Sequence, residues 1–521
     1  MKKKLIIALL VLALTASMIA GCGGSGGQTT ATPTTAGPTT DAPTTAGKEV
    51  KTDLVIAINA DIATMHPTDH STTHEMDITN QIYDPLMKIS LDGKSEPQPR
   101  IAKSYEISED GLRYTFHLRD DVTFHDGTKL TAEDVKFSAE LYAQSTYQGS
   151  KVTGMVGAEV IDEYTVVLVT ATPYAPFLQN VMDMHICSKS YFDSVSAEEF
   201  ATKPIGAGPY KFSSRELGSQ IVLEAYEGYY MDEAQIKNVT FKILPDDTTV
   251  AVALQTGEVD FASISPANHG NLVGQAGLVI QEVPSSRFGF ISMNHEKEPF
   301  SQVKFRQAVS YGIDRENIVN LALDGFGEVN SNILSPLRFG YSGNQPKYNY
   351  DPEKAKALLT EIGIQTPYDL GIMYVADPYK NHAQIIQNDL KKIGLELTIE
   401  ILEFNAFIGK LMNGDCGMTA LEMSLEGDTQ QYQLAFKSEF VGRANNVRYA
   451  NADMDALFNQ ALTTIDADER FNVYQEIFTK AQEEAIYVAM YNRIGLYAHT
   501  EDLNCHEFGL EGRYYLYDFS W

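Results

Sequence analysis

Regular alternation of apolar and polar residues predicts the strands of this chain. In residues 112–118 every second side chain is apolar, so this segment predicts a strand with one buried and one wet face. Asp120-Asp121 and Asp126-Gly127 are turn pairs, and residues 122–124 between them predict the returning strand of a hairpin. Further strands are predicted at residues 54–58, 165–170, 220–225, 239–243, 288–294, 370–375, 395–401 and 486–491.

Helices are predicted where apolar residues recur at helical spacing behind a capping residue. Thr131 with Asp134, and Thr72 with Glu75, have the three-residue spacing of a capping box. The first pair predicts a helix that follows the hairpin directly. The other predicted helices cover residues 73–83, 248–256, 304–323, 352–363, 383–393, 454–464 and 467–485. The strands at 370–375 and 395–401 with the helix between them predict a βαβ unit, and the aromatic tail 514–521 is expected to dock.

The N-terminal segment predicts export and lipid attachment. Three lysines precede an apolar run that is too short to span a membrane, and Ala20-Gly21-Cys22 follows. We interpret residues 1–21 as a lipoprotein signal peptide and Cys22 as the lipidated residue. Residues 22–50 contain almost only Gly, Thr, Ala and Pro, which predicts a disordered tether.

Length, charge and cysteine content limit the classes of function. A chain of 521 residues is expected to contain two to four folding units. The formal charge is −29, and no Lys/Arg cluster follows residue 4, so nucleic acid and anionic membrane surfaces are poor partners. Three cysteines remain after Cys22 and allow one disulfide at most.

Catalytic motifs are absent from the sequence. It has no G-x-S-x-G, no G-x-x-x-x-G-K-[ST], and no complete H-E-x-x-H, because His74-Glu75 and His295-Glu296 lack the second histidine. We therefore predict that the chain is not an enzyme and needs no cofactor.

One long segment and six shorter motifs resemble a known family. The segment AKSYEISEDGLRYTFHLRDDVTFHDGTKLTAEDVKFS at 102–138 resembles the signature of the family 5 extracellular solute-binding proteins, the dipeptide, oligopeptide and nickel receptors of ABC importers. The shorter motifs follow in the family's order: IYDPL at 82–86, GAGPYKF at 206–212, ALQTGEVDFA at 253–262, PFSQVKFRQAVSYGIDRENIV at 299–319, YNYDPEKAKALLTEIG at 348–363 and NNVRYANADMDALFNQA at 445–461.

The resemblance implies an α/β fold with two lobes that close over a ligand. Lobe I would comprise residues 51–290 and 495–521, with an inserted subdomain at about 92–203, and lobe II residues 291–494. Residues 288–294 and 487–497 would form a two-stranded hinge. The implied function is a lipid-anchored, monomeric receptor on the extracytoplasmic face of the cell membrane. It would capture short peptides and deliver them to the permease subunits.

Two segments are candidates for ligand contact. By resemblance the first is a loop at the ligand site, with candidate residues His70, Ser71, Thr72, Thr73 and His74. The second corresponds to a family segment in which a Trp precedes, by three residues, an Asp that pairs with a peptide α-amino group. Its candidates here are Glu422, Ser424, Glu426 and Asp428, with Met423 in place of the Trp and Glu426 in place of the Asp. A solvated turn is the alternative interpretation of these acids.

The sequence also allows a metal site, other functions and several carboxylate-binding residues. His66, His70 and His74 are spaced four residues apart and are candidate metal ligands, which would make the chain a nickel or metal-chelate receptor. A ligand-sensing lipoprotein is a further alternative, whereas the missing nucleophile motifs disfavour an extracellular hydrolase. Arg338, Arg443 and Lys437 are candidates for binding a peptide carboxylate only by their charge, and His117 and His125 are interpreted as structural.

Overall fold

The chain is a mixed α/β protein built on one long sheet. The computed structural model describes residues 51–88, 97–424, 429–505, 508 and 512–521. The predicted signal peptide, Cys22, the predicted tether, Glu426 and Asp428 lie outside the described residues. Within the described residues, no helix is long and apolar enough to cross a membrane.

The elements follow one another in frequent alternation along the chain. The strands are β1 Asp53–Ile58, β2 Met87–Lys88, β3 Gln98–Pro99, β4 Ala102–Ile107, β5 Arg113–Leu118, β6 Met155–Asp162, β7 Thr165–Thr170, β8 Tyr210–Glu216, β9 Gln220–Ala225, β10 Asn238–Ile243, β11 Phe261–Ser263, β12 Leu278–Met293, β13 Gly327–Val329, β14 Tyr368–Ala376, β15 Leu395–Leu402, β16 Met418–Met423 and β17 Val488–Thr500. The helices are α1 Thr73–Ile82, α2 Ala132–Gln144, α3 Phe177–Met182, α4 Lys189–Ser194, α5 Ala197–Thr202, α6 Asp247–Thr256, α7 Pro266–Leu272, α8 Val303–Gly312, α9 Arg315–Ala322, α10 Pro352–Glu361, α11 Lys380–Lys392, α12 Phe404–Met412, α13 Gln433–Phe436, α14 Ala452–Thr463 and α15 Ala467–Glu483. Short 3₁₀ turns lie at Gly149–Val152, Asp377–Tyr379, Thr429–Tyr432, Ser438–Phe440 and Leu516–Asp518.

The long sheet has the strand order β16-β12-β17-β11-β1-β10-β9-β8, and β13 adds to β17. A separate sheet, β4-β5-β7-β6, comes from residues 102–170. Strands β14 and β15 pair in parallel around α11, which confirms the predicted βαβ unit. The two long strands β12 and β17 pair antiparallel from Leu278 to Ile291.

The described residues form four hydrophobic cores, of which the third lies on the separate sheet. The first core contains buried residues from 288 to 491. The second combines residues 54–261 with the C-terminal segment 503–519, so the aromatic tail docks as predicted. The third takes its residues from 86–207, and a fourth packs on Ala57, α6, α7, Leu496 and Ala498. Strands β12 and β17 each have one half against the first core and one half against the fourth.

The capped helix at residue 131 is confirmed, but the predicted hairpin before it is wrong. The Thr131 amide donates to Asp134 Oδ2 at 2.9 Å, and α2 begins at Ala132. However, β5 pairs with β4 and β7 and not with residues 122–124. Residues 122–124 turn back at Asp126-Gly127 onto residues 128–130, where the Phe124 amide donates to the Thr128 carbonyl at 2.8 Å. The turn at Asp126-Gly127 is confirmed, whereas β5 pairs with the strand directly before it, β4, and with the distant strand β7.

The single helix predicted over residues 304–323 is also wrong, because two helices occupy this segment. Helix α8 ends at Gly312, and α9 begins at Arg315. Asp314 is the reason for the break: its side chain accepts the Asn317 amide at 3.1 Å, and its own amide donates to Asp389 Oδ2 at 3.0 Å. A side chain that satisfies a helix N-terminus in this way starts a new helix.

The Gly206-Ala207-Gly208 segment crosses the end of α1 at a distance that only glycine permits. A Cβ atom on Gly206 would lie 2.0 Å from the Ile82 carbonyl oxygen, and one on Gly208 would lie 2.6 Å from the Gln81 oxygen. The Gly208 amide donates to the same Ile82 oxygen at 2.9 Å. The predicted sharp crossing therefore joins the second and third cores by direct backbone contact.

We expect Gly206→Ala to destabilise the protein by about 3 kcal/mol, at the upper end of the usual cost of overpacking, because backbone must move to admit the methyl group. The measurement is denaturant unfolding followed by circular dichroism. Gly270→Ala is the matched control, because a Cβ at Gly270 meets no atom within 4 Å. An equal loss of stability in both variants would contradict the close-approach argument.

Candidate functional site

The crossing of β16, β12 and β17 carries a cluster of ionic side chains at the place where the sheet passes from one core to the other. Gly289 of β12 is paired with Glu422 of β16 on one side and with Tyr491 of β17 on the other. Arg287 and Arg493 lie two residues from Gly289 and Tyr491 along their strands, which places them on the same face of the sheet. We call these residues the crossing cluster: Arg287, Gly289, Glu422, Tyr491 and Arg493.

Glu422 is the centre of the crossing cluster. Its side chain is 2% exposed, and it lies 2.6 Å from Arg493 Nε and 3.0 Å from Arg287 Nε. The Tyr491 hydroxyl donates to Glu422 Oε1 at 2.8 Å. Both carboxylate oxygens are thus bound by side chains of this chain.

Gly289 makes this arrangement possible. A Cβ atom at this position would lie 2.2 Å from Cζ of the Tyr491 ring. Without a side chain at Gly289, the Tyr491 ring crosses over β12 and reaches Glu422 on the next strand. His382 Nε2 lies 2.8 Å from the same hydroxyl, so the donation runs from His382 through Tyr491 to Glu422.

Burial and charge set the protonation states here. Burial raises the pKa of Glu422, but the guanidinium groups of Arg493 and Arg287 outweigh burial and hold this pKa below its ordinary value of 4.5. Burial lowers the pKa of His382 to about 4, so the imidazole is neutral at pH 7. The two arginines and Glu422 therefore carry a local charge of +1 in a chain whose formal charge is −29.

The candidate loop at residues 66–74 is fixed mainly by the segment that follows α2. The Thr68 carbonyl accepts from Ser145 Oγ at 2.6 Å, and the His70 carbonyl accepts from Gln148 Nε2 at 3.1 Å. Thr72 caps α1, because the Thr72 amide donates to Glu75 Oε2 at 3.0 Å and the Glu75 amide donates to Thr72 Oγ1 at 3.3 Å. This confirms the predicted capping box. Ser71 and Thr73 are exposed at the surface of the loop.

The three histidines of this loop have separate partners. His66 Nδ1 accepts from the Thr68 amide at 3.2 Å, and His74 Nε2 lies 2.6 Å from Asn59 Oδ1. His70 is buried, and this burial lowers its pKa to about 4. Across the described ranges, no three or more His, Cys, Asp or Glu side chains are grouped so that they could hold a metal ion.

Hydrogen bonds do not join the two predicted segments within the described part of the chain. The loop bonds to residues 142–148 and to α1, while Glu422 bonds to β12 and β17. Two hydrogen bonds connect the region of the third core with residues 430–462. The Tyr174 hydroxyl donates to Gln430 Oε1, and the Ala175 amide donates to the Leu462 carbonyl at 2.8 Å. Ser424 is exposed just beyond the end of β16.

Sequence reasoning missed Arg287, Arg493 and Tyr491 as site residues. All three lie within or beside the predicted hinge strands, and two arginines on those strands of an acidic chain were the available signal. Of the basic candidates that were considered, Arg338 is buried and donates to Ser286 Oγ at 2.6 Å, and Lys437 pairs with Glu439. Cys187, Cys416 and Cys505 are buried free thiols.

A separate cavity of about 570 Å³ lies beside β17 and is not part of the crossing cluster. It touches β17 through Asn492, whose side chain alternates with those of Tyr491 and Arg493. Its other walls are residues 313–316, 328–332 and 341–350, together with Pro336.

We expect Glu422→Gln to lower the free energy of unfolding by about 1–2 kcal/mol at pH 7, less than for fully buried pairs because both guanidiniums are partly exposed. Because the pKa of Glu422 lies below its unfolded value, its stabilisation is complete above about pH 4.5 and is lost as the pH falls. Denaturant unfolding at several pH values measures this. The gap between wild type and variant should close in acid, and a gap independent of pH would contradict the ionic role. Glu159→Gln, at the exposed Arg113 pair, is the control with a smaller expected change.

The family model of the bacterial extracellular solute-binding proteins, family 5 middle, matches residues 96–439. The dipeptide-binding protein of Escherichia coli (strain K12) is 29% identical over 442 residues, which cover 78% of this chain and 82% of that protein. The oligopeptide-binding protein AppA of Bacillus subtilis (strain 168) is 28% identical over 522 residues, which cover 94% of this chain and 93% of that protein.

Solved structures give the same assignment. The ABC transporter substrate-binding protein CtaP from Listeria monocytogenes superposes with a TM-score of 0.83 at 26% identity, covering 91% of this chain and 99% of that chain. The matching family consists of binding proteins and not of enzymes, which agrees with the lack of catalytic motifs. The α/β fold, the order of the motifs and these matches lead to one assignment: the chain belongs to the family 5 bacterial extracellular solute-binding proteins, the substrate-binding receptors of ABC transporters.

Proposed function

We propose that this receptor is lipid-anchored through Cys22, stands on the extracytoplasmic face of the cell membrane, and captures short peptides for the permease of an ABC importer. Two similar proteins, a dipeptide-binding protein and an oligopeptide-binding protein, support peptides as the solute class. The composition of residues 1–50 supports export and a tether. The receptor works as a monomer, and the tether lets it reach the permease from its anchor.

The observation that carries the mechanism is the continuity of β12 and β17 between two cores. The pairing register of these strands shifts between Pro284 and Phe288 and again between Gly289 and Phe290. Interrupted pairing lowers the cost of bending at that point, while the paired halves on either side stay rigid. We infer that lobe I, residues 51–290 with 495–521, and lobe II, residues 291–494, rotate about this point. The segment 92–203 moves with lobe I.

Closure over a peptide then follows from differential binding. A peptide between the lobes makes contacts with both only in the closed form, so it shifts the equilibrium toward that form. The loop at 66–74 and the segment after β16 supply the two sides of the proposed cleft. The contacts of Tyr174 with Gln430 and of Ala175 with Leu462 are positioned to form as the lobes meet.

We expect calorimetry with di- to pentapeptides to show saturable binding to the protein. Glu426, which stands where the family has its amino-binding Asp, is proposed to pair with the peptide α-ammonium. Glu426→Gln should therefore weaken the binding of peptides with a free N-terminus by about tenfold or more. The affinity for N-acetylated peptides should be unchanged. Absence of heat with every peptide would overturn peptide binding. An unchanged affinity in the variant would reject only the role of Glu426.

We expect Cys22→Ser to release the protein from the membrane when it is expressed in a bacterial host that processes lipoproteins. A single thioether-linked lipid anchor needs this cysteine, and the described residues include no spanning helix. Membrane fractionation and mass spectrometry of the N-terminal peptide measure the change. Cys416→Ser is the matched control, because Cys416 is a buried thiol of the first core. Retention of the Cys22 variant in the membrane fraction would contradict the anchor.

A further inference from the structure

In the crossing cluster, four guanidinium nitrogens have no hydrogen-bond partner among the residues that the structure describes. Arg287 and Arg493 each use Nε to hold Glu422, at 3.0 and 2.6 Å. Within the described part of the chain, the terminal Nη atoms of both side chains make no hydrogen bond to another residue. Each planar guanidinium therefore keeps terminal N–H donors that no described residue accepts.

The two arginine side chains are much more exposed than the carboxylate that they hold. Glu422 is 2% exposed, whereas the Arg287 and Arg493 side chains are 50% and 36% exposed. The carboxylate is thus buried beneath two cations whose outer ends reach solvent. Arginine presents its nitrogens as a planar fork that matches a carboxylate, so two forks held by one shared carboxylate form a prepared site for a second one.

The position of this site links it to solute binding. Arg287 lies in the register break of β12, between Pro284 and Phe288, and Arg493 is next to Asn492, which pairs with Phe288. Both arginines therefore lie where the sheet passes between the cores, at the base of the cleft that we propose.

We propose that Arg287 and Arg493 bind a carboxylate of the solute, with Glu422 as the positioning residue that holds both guanidiniums. The inference rests on the proposed peptide function and makes it specific: the solute presents an anionic group to the hinge strands. A peptide offers this group from two sources, its α-carboxylate or the side chain of Asp or Glu. The chemistry is the same for both, and the ligands in the test separate them.

The alternative is that the two arginines only neutralise Glu422. One arginine is enough to neutralise one carboxylate, and the second leaves a net charge of +1 at the cluster. Neutralising Glu422 uses only Nε of each arginine, so it does not account for the remaining N–H donors of the two partly exposed side chains. Arg338 is the contrasting case, since it is buried and bonded to Ser286.

The test is calorimetry of the mature protein with Ala-Ala-Ala, Ala-Glu-Ala, Ala-Gln-Ala and the C-terminal amides of all three. If the α-carboxylate occupies the site, amidation should weaken binding about ten- to a hundredfold, the range for a lost charge-assisted pair. If a side-chain carboxylate occupies the site, Ala-Glu-Ala should bind more tightly than Ala-Gln-Ala by the same factor. In the double variant Arg287→Gln/Arg493→Gln, the affinity ratio of free acid to amide, or of Ala-Glu-Ala to Ala-Gln-Ala, should fall to near unity. A ratio unchanged from wild type would overturn the proposal.

Controls separate charge, geometry and folding. Arg113→Gln removes an arginine of similar exposure from the Glu159 pair, away from the crossing, and should keep the wild-type ratios. Arg287→Lys/Arg493→Lys keeps the charge without the fork and should recover part of the discrimination. Circular dichroism of each variant establishes that it is folded.

A final measurement distinguishes this inference from the peptide function itself. If wild type binds none of the peptides, the peptide proposal fails, and succinate then serves as the probe of the arginine pair. Succinate should bind to wild type and lose at least tenfold in affinity in the double Gln variant. Absence of succinate binding to wild type under those conditions would overturn the carboxylate site as well.

Discussion

The pairing of β12 with β17 is the constraint on which the rest of this structure depends. These two strands continue from one hydrophobic core to the next, and their register is interrupted where they pass between them. A sheet can cross between two cores without a bend only if its side chains fit both cores. Here the register shifts between β12 and β17 allow the sheet to bend between the cores. The same shifts place Arg287 and Gly289 at the crossing. One irregularity thus provides both the proposed hinge and the position of the ionic cluster.

Glycine lets separate segments meet both at the end of α1 and at the crossing cluster. Gly206 and Gly208 let one chain segment cross the end of α1 at backbone contact, and Gly289 lets the Tyr491 ring pass over β12. The first contact fastens the third core to the second. The second connects three strands through one hydroxyl group, which donates to Glu422. In both cases the missing side chain creates a long-range contact and not a local turn.

Local signals in the sequence predicted local structure well and long-range pairing poorly. The capping boxes at Thr72 and Thr131 and the βαβ unit around α11 were read correctly, because each depends on residues a few positions apart. The partner of β5 was wrong, since β4 and β7 compete with any nearby segment for its edges. Glu422 was recognised as a candidate, but its pairing with Arg493 across 71 residues could not be inferred from spacing. The structure adds to that candidate the two arginines that Glu422 pairs with, Arg287 and Arg493.

The two arginines around Glu422 alter how the charge of the whole chain bears on its solute. A formal charge of −29 favours cationic partners if it is treated as a property of the entire surface. Charges beyond about 8 Å are largely screened at physiological ionic strength, however, so a bound solute responds mainly to the nearest groups. At the crossing those groups are two guanidiniums over one buried carboxylate. The proposed site therefore offers an anionic group a local positive charge, while the acidic exterior disfavours binding of that group elsewhere on the surface.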